Sequence, residues 1–431
     1  MRRNAYGVYL LLSGLSAAFF YLYGAVAAVY RVSTAGLSPL QLVLVGTALE
    51  AACFVVGVPT GILADVLSRR LLVVIGFLLE GVGFALEGAI PQFGTILVAQ
   101  VLWGGGAMCM DGAFEAWIAD EVGDERLSHI FIRATQVSQI CGIAGILGAG
   151  LLASISYNLP LLVAGVLMFA LGVVAALLMP ETGFHPAGHA DEVSRSARSA
   201  WHAAGDTLRQ SGRLVRRSPI LLTLLGVAAF YGMSSEGFDR LWEAHILLDV
   251  HLPPLGQLNP VLWFSIILIA AQLLSIASTE LARRQVNTRN HVAVARALFA
   301  INALLIVVVI IFGLTVSFPL AVAAYLMADV LRTTRQPIYL AWLTQAIDAR
   351  VRATVLSISS QLDAFGQIAG GPVIGAIGSL RSIRAALVAT GVALTPALLL
   401  FARAARLKEA PLADQVAVDV AATVVEEVAE G

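Results

Sequence analysis

The 431-residue chain holds 27 basic and 28 acidic residues, a formal charge of −1 at neutral pH, and is 58% hydrophobic but only 13% charged. A soluble domain carries about 25% charged residues, so this charge content and a mean hydropathy of +0.85 exclude an ordinary soluble domain. The chain reads as a membrane protein.

Crossing about 30 Å of hydrocarbon takes roughly 20 apolar residues in a helix. Segments of that kind fall near residues 5–30, 38–63, 71–90, 93–119, 134–155, 159–179, 220–248, 258–281, 292–316, 318–346, 353–380 and 383–402, which makes twelve spans. The first follows Met1-Arg2-Arg3 and is longer than the roughly 7–15 residue core of a cleaved signal peptide, so it is read as a spanning helix. Cys53, Cys109 and Cys141 lie inside apolar segments and are read as small packing residues.

Basic residues mark the cytoplasmic side of a span. They gather at Arg2 and Arg3, at Arg69 and Arg70, at Arg126, in the central loop, at Arg283, Arg284 and Arg289, at Arg350 and Arg352, and at Arg403, Arg406 and Lys408. The opposite loops hold only Arg31, Arg381 and Arg384, so both termini are expected in the cytoplasm.

Between spans two and three runs Gly57-Val58-Pro59-Thr60-Gly61-Ile62-Leu63-Ala64-Asp65-Val66-Leu67-Ser68-Arg69-Arg70, where an acid at the end of an apolar run meets an arginine pair. This stretch resembles the signature loop of the major facilitator superfamily, written G-x-L-a-D-r-x-G-R-R. Gly61, Leu63, Ala64, Asp65, Arg69 and Arg70 are in place, and Ser68 stands where the pattern has glycine. The resemblance implies an all-α membrane protein with twelve transmembrane helices in two pseudo-symmetric six-helix bundles, in the cytoplasmic (inner) membrane. The bundles are expected at residues 1–180 and 219–404, separated by a cytoplasmic loop at 181–218 and followed by an acidic tail at 405–431.

In span four, Asp111-Gly112-Ala113-Phe114-Glu115-Ala116-Trp117-Ile118-Ala119-Asp120-Glu121 is similar to a subgroup of bacterial superfamily members described as multidrug or tetracycline-type exporters. Exporters of that kind coupled to protons usually carry an arginine in span four. Here Gln100 stands in its place, ahead of Gly104-Gly105-Gly106, so coupling through that arginine is not expected.

The two halves echo each other, as in transporters built from repeats. Arg133-Ala134-Thr135 with Ser138 opens span five, and Arg352-Ala353-Thr354 with Ser357 opens span eleven; Trp117 and Trp342 end spans four and ten. Span five carries Gly142, Gly145, Gly148 and Gly150, a groove of small residues for a partner helix, and resembles a degenerate antiporter motif. Span eleven has Gly370-Gly371-Pro372 with Gly375 and Gly378 in the related position. From Ser194 the central loop alternates Arg195, Arg198, Arg209, Arg213, Arg216 and Arg217 with apolar residues. That suits either a basic helix on the anionic inner leaflet or a linker whose charges hold orientation.

Charges within a bilayer are costly unless paired or hydrated, so each is a site candidate. Span seven has Glu236, Asp239, Arg240 and Glu243 at offsets that share one helix face. Span four has Asp111 and Glu115, and span ten has Asp329, Arg332, Arg335 and Gln336 before Pro337. The resemblance implies that spans one, four, seven and ten line a central cavity, with span one offering Ser13, Ser16, Tyr21 and Tyr23. At 1.5 Å per residue, Asp329 and Arg332 fall roughly 16–21 Å deep, which makes them first candidates for substrate contact. Desolvation favours an uncharged carboxyl; Asp111, Glu115, Glu236 and Asp239 are therefore candidates for carrying protons, and Asp239 and Arg240 alternatively fix packing. Glu50, Glu80 and Asp363 lie on spans expected to flank the cavity and are read as structural, as is Glu87 near the outer surface.

At the cytoplasmic face the resemblance implies a latch: Asp65 against Arg350 or Arg352, and Arg69 or Arg70 against Asp120 or Glu121. The leading functional expectation is proton-coupled efflux of small amphipathic compounds by alternating access. An importer of an organic acid or sugar and a non-transporting receptor or scaffold are the alternatives. A small-molecule substrate, protons and membrane lipids are the expected partners, a monomer the expected state, and the proton gradient the energy source. No cofactor, metal or nucleic acid is expected: the sequence shows no nucleotide-binding loop, ligand cluster or nucleophile constellation, and His185 and His189 lie in a polar loop.

Overall fold

The computed structural model describes residues 5–66, 68–123, 126–183, 219–250, 252–253, 260–285, 291–345 and 352–404. The basic central segment, the acidic tail, and Arg283, Arg284, Arg289 and Arg350 fall outside the described residues or side chains.

Hydrocarbon offers the backbone no hydrogen-bond partner, so a spanning segment closes its bonds internally as a helix. The first half contains α1 (Ala5–Ser33), α2 (Pro39–Val66), α3 (Arg69–Ala89), α4 (Phe93–Met110), α5 (Ala113–Val122), α6 (Leu127–Ala153) and α7 (Asn158–Leu178). The second contains α8 (Pro219–His245), extended by a π-helical turn at Ile246–Val250, then α9 (Val261–Gln285), α10 (His291–Leu314), α11 (Phe318–Gln345), α12 (Arg352–Leu380), α13 (Ile383–Ala393) and α14 (Thr395–Ala404). Because α4 with α5, and α13 with α14, each share one span, the described helices make twelve passages in two sets of six. Nine described segments are long and apolar enough to cross a membrane by composition. The spans containing α8, α11 and α12 hold the polar residues that depress their hydropathy.

Span four, expected as one helix over 93–119, is broken. Asp111 has left the helix at ψ 120°, and Gly112 takes φ +72°, a left-handed value that glycine adopts without Cβ strain. Ser68, the departure from the family loop, is the N-cap of α3: its hydroxyl accepts from Leu71 N at 2.9 Å and donates to Glu181 Oε1 at 2.6 Å.

Glycines let helices within each half touch at the backbone. A methyl group at Gly145 on α6 would stand 2.1 Å from the Ala18 carbonyl oxygen on α1, and one at Gly366 on α12 would stand 2.1 Å from that of Ala229 on α8. The two contacts are repeat-related. Gly165 on α7 is as tight: a methyl there would fall 2.3 Å from Ala85 N of α3.

The halves meet at the end opposite Arg69. Leu40 N on α2 donates to Ser379 Oγ on α12 at 2.9 Å, while Gly375 and Gly378 of α12 lie against Leu40, Val43 and Pro39. Near the same end is a buried polar network. Arg31 belongs to the last turn of α1 and not to the loop in which its place in the sequence puts it; its Nε donates to Glu87 Oε1 at 2.7 Å, with the two side chains 7% and 0% exposed. Tyr23 OH and Gln100 Nε2 both donate to Glu87 Oε2, at 2.7 and 2.8 Å, and Arg31 Nη2 donates to Tyr23 OH at 2.8 Å. α1, α3 and α4 are thereby tied through one carboxylate.

Two outcomes follow from this packing. Gly165→Val should lower stability by about 1–3 kcal/mol through overpacking, read as a fall in the thermal unfolding midpoint in detergent, whereas an unchanged midpoint would mean that α3 and α7 have room to part. Glu87→Leu should cost about 3–5 kcal/mol because Arg31 stays buried without its counter-charge, and combining it with Arg31→Met, itself the other single variant, should recover much of that loss. Denaturant unfolding of the four proteins of this cycle measures it, and additive losses would show that the two charges do not interact.

Candidate functional site

Between the halves, on the Arg69 side of the contacts just described, lies a cavity of about 850 Å³. Its wall is built by the first half of α1 (Tyr9, Ser13, Ser16), by α3 (Phe77, Glu80), by the α4–α5 break (Met110, Asp111, Phe114, Glu115), and by α6 (Phe131, Thr135, Ser138), with Gln272 of α9 across from them. Asp111 and Glu115 are exposed to this space. The break explains how both reach it: the chain turns at Gly112, and the two acids project from successive helix ends. A smaller cavity of about 170 Å³ lies deeper, between Tyr21, Gln139 and Gly142 on one side and Gln272, Tyr325 and Asp329 on the other.

Asp329 is held in that deeper space by Ser275 Oγ, which donates to Oδ2 at 2.7 Å. One turn on, Arg332 grips Asp239 with two hydrogen bonds of 2.5 and 2.6 Å and donates from Nε to Tyr231 OH at 3.3 Å. The expected common face of α8 is divided between two neighbours. Asp239 faces α11, whereas Glu236 and Arg240 pair at 3.1 Å against α2. Gly46 makes room for that pair, since a methyl there would fall 1.8 Å from Glu236 Oε1 and 2.0 Å from Arg240 Nε. Gly371 of α12 lies against Glu236 Cγ and Thr47 Oγ1, each 3.0 Å from a methyl at that position. Glu236 and Arg240 thus occupy the seam between halves where α2, α8 and α12 converge.

Among the small residues of α6, Gly142 seats the ring of Tyr21, Gly145 the backbone of Ala18, Gly148 the side chain of Leu22 and Gly150 that of Leu262 on α9. Three of these contacts join α6 to α1, and the last crosses to the other half.

At the Arg69 end, Arg69 Nη1 meets Asp120 Oδ2 at 2.6 Å and donates to the Ala116 carbonyl at 2.9 Å. Arg70 donates through Nη2 to the Ala176 carbonyl of α7. Glu121 accepts from Thr182 N at 2.6 Å and from Gly183 N at 2.9 Å. All of these ties stay within the first half, so Arg69 and Asp120 clamp α3 to α5. Gly61 and Asp65 lie in the last turns of α2 and Arg352 begins α12, but their side chains fall outside the described ones, as does the pairing expected between Asp65 and Arg350 or Arg352.

Sequence reasoning sets aside two groups that the structure brings forward. Glu80 lines the large cavity although α3 is expected to flank it, and Glu87 anchors the Arg31 network. Glycine spacing holds the signal for Glu80: Gly76 and Gly106 bring α3 and α4 so close that the Gly76 carbonyl oxygen is 2.7 Å from where a Gly106 methyl would be, which presses the Glu80 face of α3 toward the cavity.

Residues 9–360 match the family described as Major Facilitator Superfamily. An uncharacterized MFS-type transporter, YxaM, of Bacillus subtilis (strain 168) is 21% identical over 373 residues, covering 86% of this chain and 88% of the relative. Among solved structures, a bacterial homolog to human lysosomal transporter Spinster, in an inward-facing and unoccupied conformation, superposes with a TM-score of 0.73 at 16% identity, covering 94% of this chain and 98% of that one. The nucleoside transporter NupG superposes at 0.71 with 12% identity over 93% and 100% of the two chains, and a peptide transporter POT in complex with sulfate at 0.71 with 18% identity over 94% and 95%. At such identities these likenesses establish the fold. With the family matched over most of its length, and two helical sets enclosing a cavity lined by aromatic and acidic side chains, the chain belongs to the Major Facilitator Superfamily and is a multi-pass membrane transporter.

Proposed function

We propose that the protein exports small amphipathic compounds by alternating access, driven by protons moving inward. The observation that carries this reading is the cavity wall, where six aromatic rings and three methionines stand beside three carboxyls. Structural relatives include a peptide transporter and a nucleoside transporter, so the fold accommodates different cargo and the cargo must be read from the lining. A wall of this composition gives an apolar body a large contact area at little cost in oriented polar partners, while carboxyls bind and release protons. On the positive-inside rule the Arg69 end is cytoplasmic, which puts both termini there and makes this an inward-facing state in the cytoplasmic membrane, loading from inside. Passage to the outward-facing state then parts Leu40 from Ser379 and loosens the seam at Gly46. No cofactor enters this scheme, and a single chain is sufficient for it.

One observation favours the import of an organic acid. Arg335 is 2% exposed, stacks its guanidinium over Tyr231 at 3.3 Å, and has no hydrogen-bond partner at Nε or Nη1 among the described residues. A carboxylate cargo would answer that charge.

Inverted membrane vesicles distinguish the two readings. Under export, adding an amphipathic compound to vesicles with a pre-formed proton gradient should discharge that gradient, and Asp329→Asn or Glu236→Gln should slow the discharge at least tenfold. Import instead predicts organic-acid uptake into proteoliposomes that Arg335→Gln abolishes. A broad compound panel with no effect on the gradient would remove the export reading.

A further inference from the structure

Glu80 sits one turn after Phe77 on α3 and is 6% exposed, yet it lines the 850 Å³ cavity. Its methylenes rest on Gly106, where an added methyl would be 3.1 Å from Glu80 Cγ. No described side chain donates to its carboxyl, and none of the residues lining the cavity is lysine, arginine or histidine. Four other carboxylates in the spans do have a partner: Glu87, Glu236 and Asp239 each have a guanidinium, and Asp329 a hydroxyl. Glu80 faces the cavity with its charge unanswered.

The surroundings select what could answer it. Tyr9 and Phe114 lie with ring centroids 4.6 Å apart and planes tilted by 39°, and Phe77 and Phe131 extend this group, 6.3 Å from Phe114 and 6.2 Å from Tyr9 respectively. Aromatic faces attract cations through their quadrupole, and the thioethers of Met110 and Met168 are polarisable partners for a diffuse charge. Helix α4 ends at Met110, so the negative pole of its dipole is at the same place. A small hard cation requires several oxygen ligands, which one carboxyl among rings and thioethers does not provide. A large cation with apolar substituents fits both the ring faces and the single negative charge.

We propose that the cavity contains a subsite for a lipophilic monovalent organic cation, with Glu80 as its counter-charge and the Tyr9, Phe77 and Phe114 rings as its walls. Asp111 and Glu115, exposed in the same cavity, attract the cation and pass it to Glu80. With the subsite empty, a proton neutralises the buried carboxyl; arrival of the cation displaces that proton, so one positive charge replaces another. The proposal rests on the reading of the protein as an exporter of amphipathic compounds, and adds the charge of the compound and the side chain that selects it.

Equilibrium binding to the purified full chain tests this, with tetraphenylphosphonium as the cation and triphenylphosphine oxide as a neutral probe of similar shape. The expected results are a loss of at least tenfold in tetraphenylphosphonium affinity in Glu80→Gln, partial retention in Glu80→Asp, and triphenylphosphine oxide binding within about twofold of wild type in both. In weakly buffered solution the wild type should release close to one proton per cation bound. If Glu80→Gln does not fold, Glu80→Asp carries the comparison of affinity and of protons released. Equal tetraphenylphosphonium affinity in wild type and Glu80→Gln, or binding without proton release, would overturn the assignment of Glu80. Binding of the neutral probe alone would overturn the cation subsite and leave export of amphipathic compounds standing. Absence of binding by both probes, together with no discharge of the vesicle gradient by any compound, would overturn both.

Discussion

A charge in hydrocarbon has to be paired, hydrated or neutralised, and the side-chain arrangement of this transporter is organised by that requirement. Where a carboxylate meets a guanidinium, helices are joined. Arg31 and Glu87 tie α1 to α3, Arg332 and Asp239 tie α11 to α8, and Arg69 and Asp120 tie α3 to α5. Asp111, Glu115 and Glu80, which have no guanidinium partner among the described residues, line the cavity instead.

Glycine supplies the complementary half of the design. Lipid gives helices no hydrophobic incentive to associate, so close packing and interhelical hydrogen bonds must hold them. Backbone contact at Gly145 with Ala18, and at Gly366 with Ala229, places α1 on α6 and α8 on α12 in matching fashion. Between the halves the small residues have another consequence. Gly46, Gly371, Gly375 and Gly378 form a smooth seam on which α2 and α12 lie with few directional bonds, Leu40 to Ser379 being one. A seam of that kind can open without breaking an extensive hydrogen-bond ladder, whereas each half remains internally locked.

The spans are legible in the sequence because apolar runs of sufficient length have few other uses, and the repeat is legible because the glycines and tryptophans recur in order. What lies beyond the sequence is the azimuth of each helix. Glu236, Asp239 and Arg240 share a face by spacing, yet that face is wide enough to serve α2 and α11 at once, and spacing does not say which acid meets which arginine. Arg31 reads as a loop residue because it follows an apolar run; the run continues as helix, and its partner Glu87 is 56 residues away. Glu80 reads as a flanking residue because the superfamily resemblance puts the third helix outside the cavity, a rule that the glycine contacts of α3 with α4 override. The break in span four has a visible cue in Asp111-Gly112, a turn dipeptide, which the length of the surrounding apolar segment masks.

That break gives the two ends of span four different attachments. Above it, Gly104 lies against the Leu49 carbonyl of α2 and Gly106 against the Gly76 carbonyl of α3, 2.8 and 2.7 Å from the respective methyl positions, so α4 is wedged between two helices. Below it, α5 is bound to α3 by Arg69 and to the chain after α7 by Trp117 Nε1, which donates to the Pro180 carbonyl at 2.6 Å. The joint at Asp111 and Gly112 is left between two anchored pieces, and it is there that the negative end of α4 faces the cavity. Loops at mid-membrane depth are tolerated only where they line a polar space. The same broken turn therefore interrupts the helix, directs Asp111 into the cavity and sets the electrostatic character of the wall that Glu80 completes.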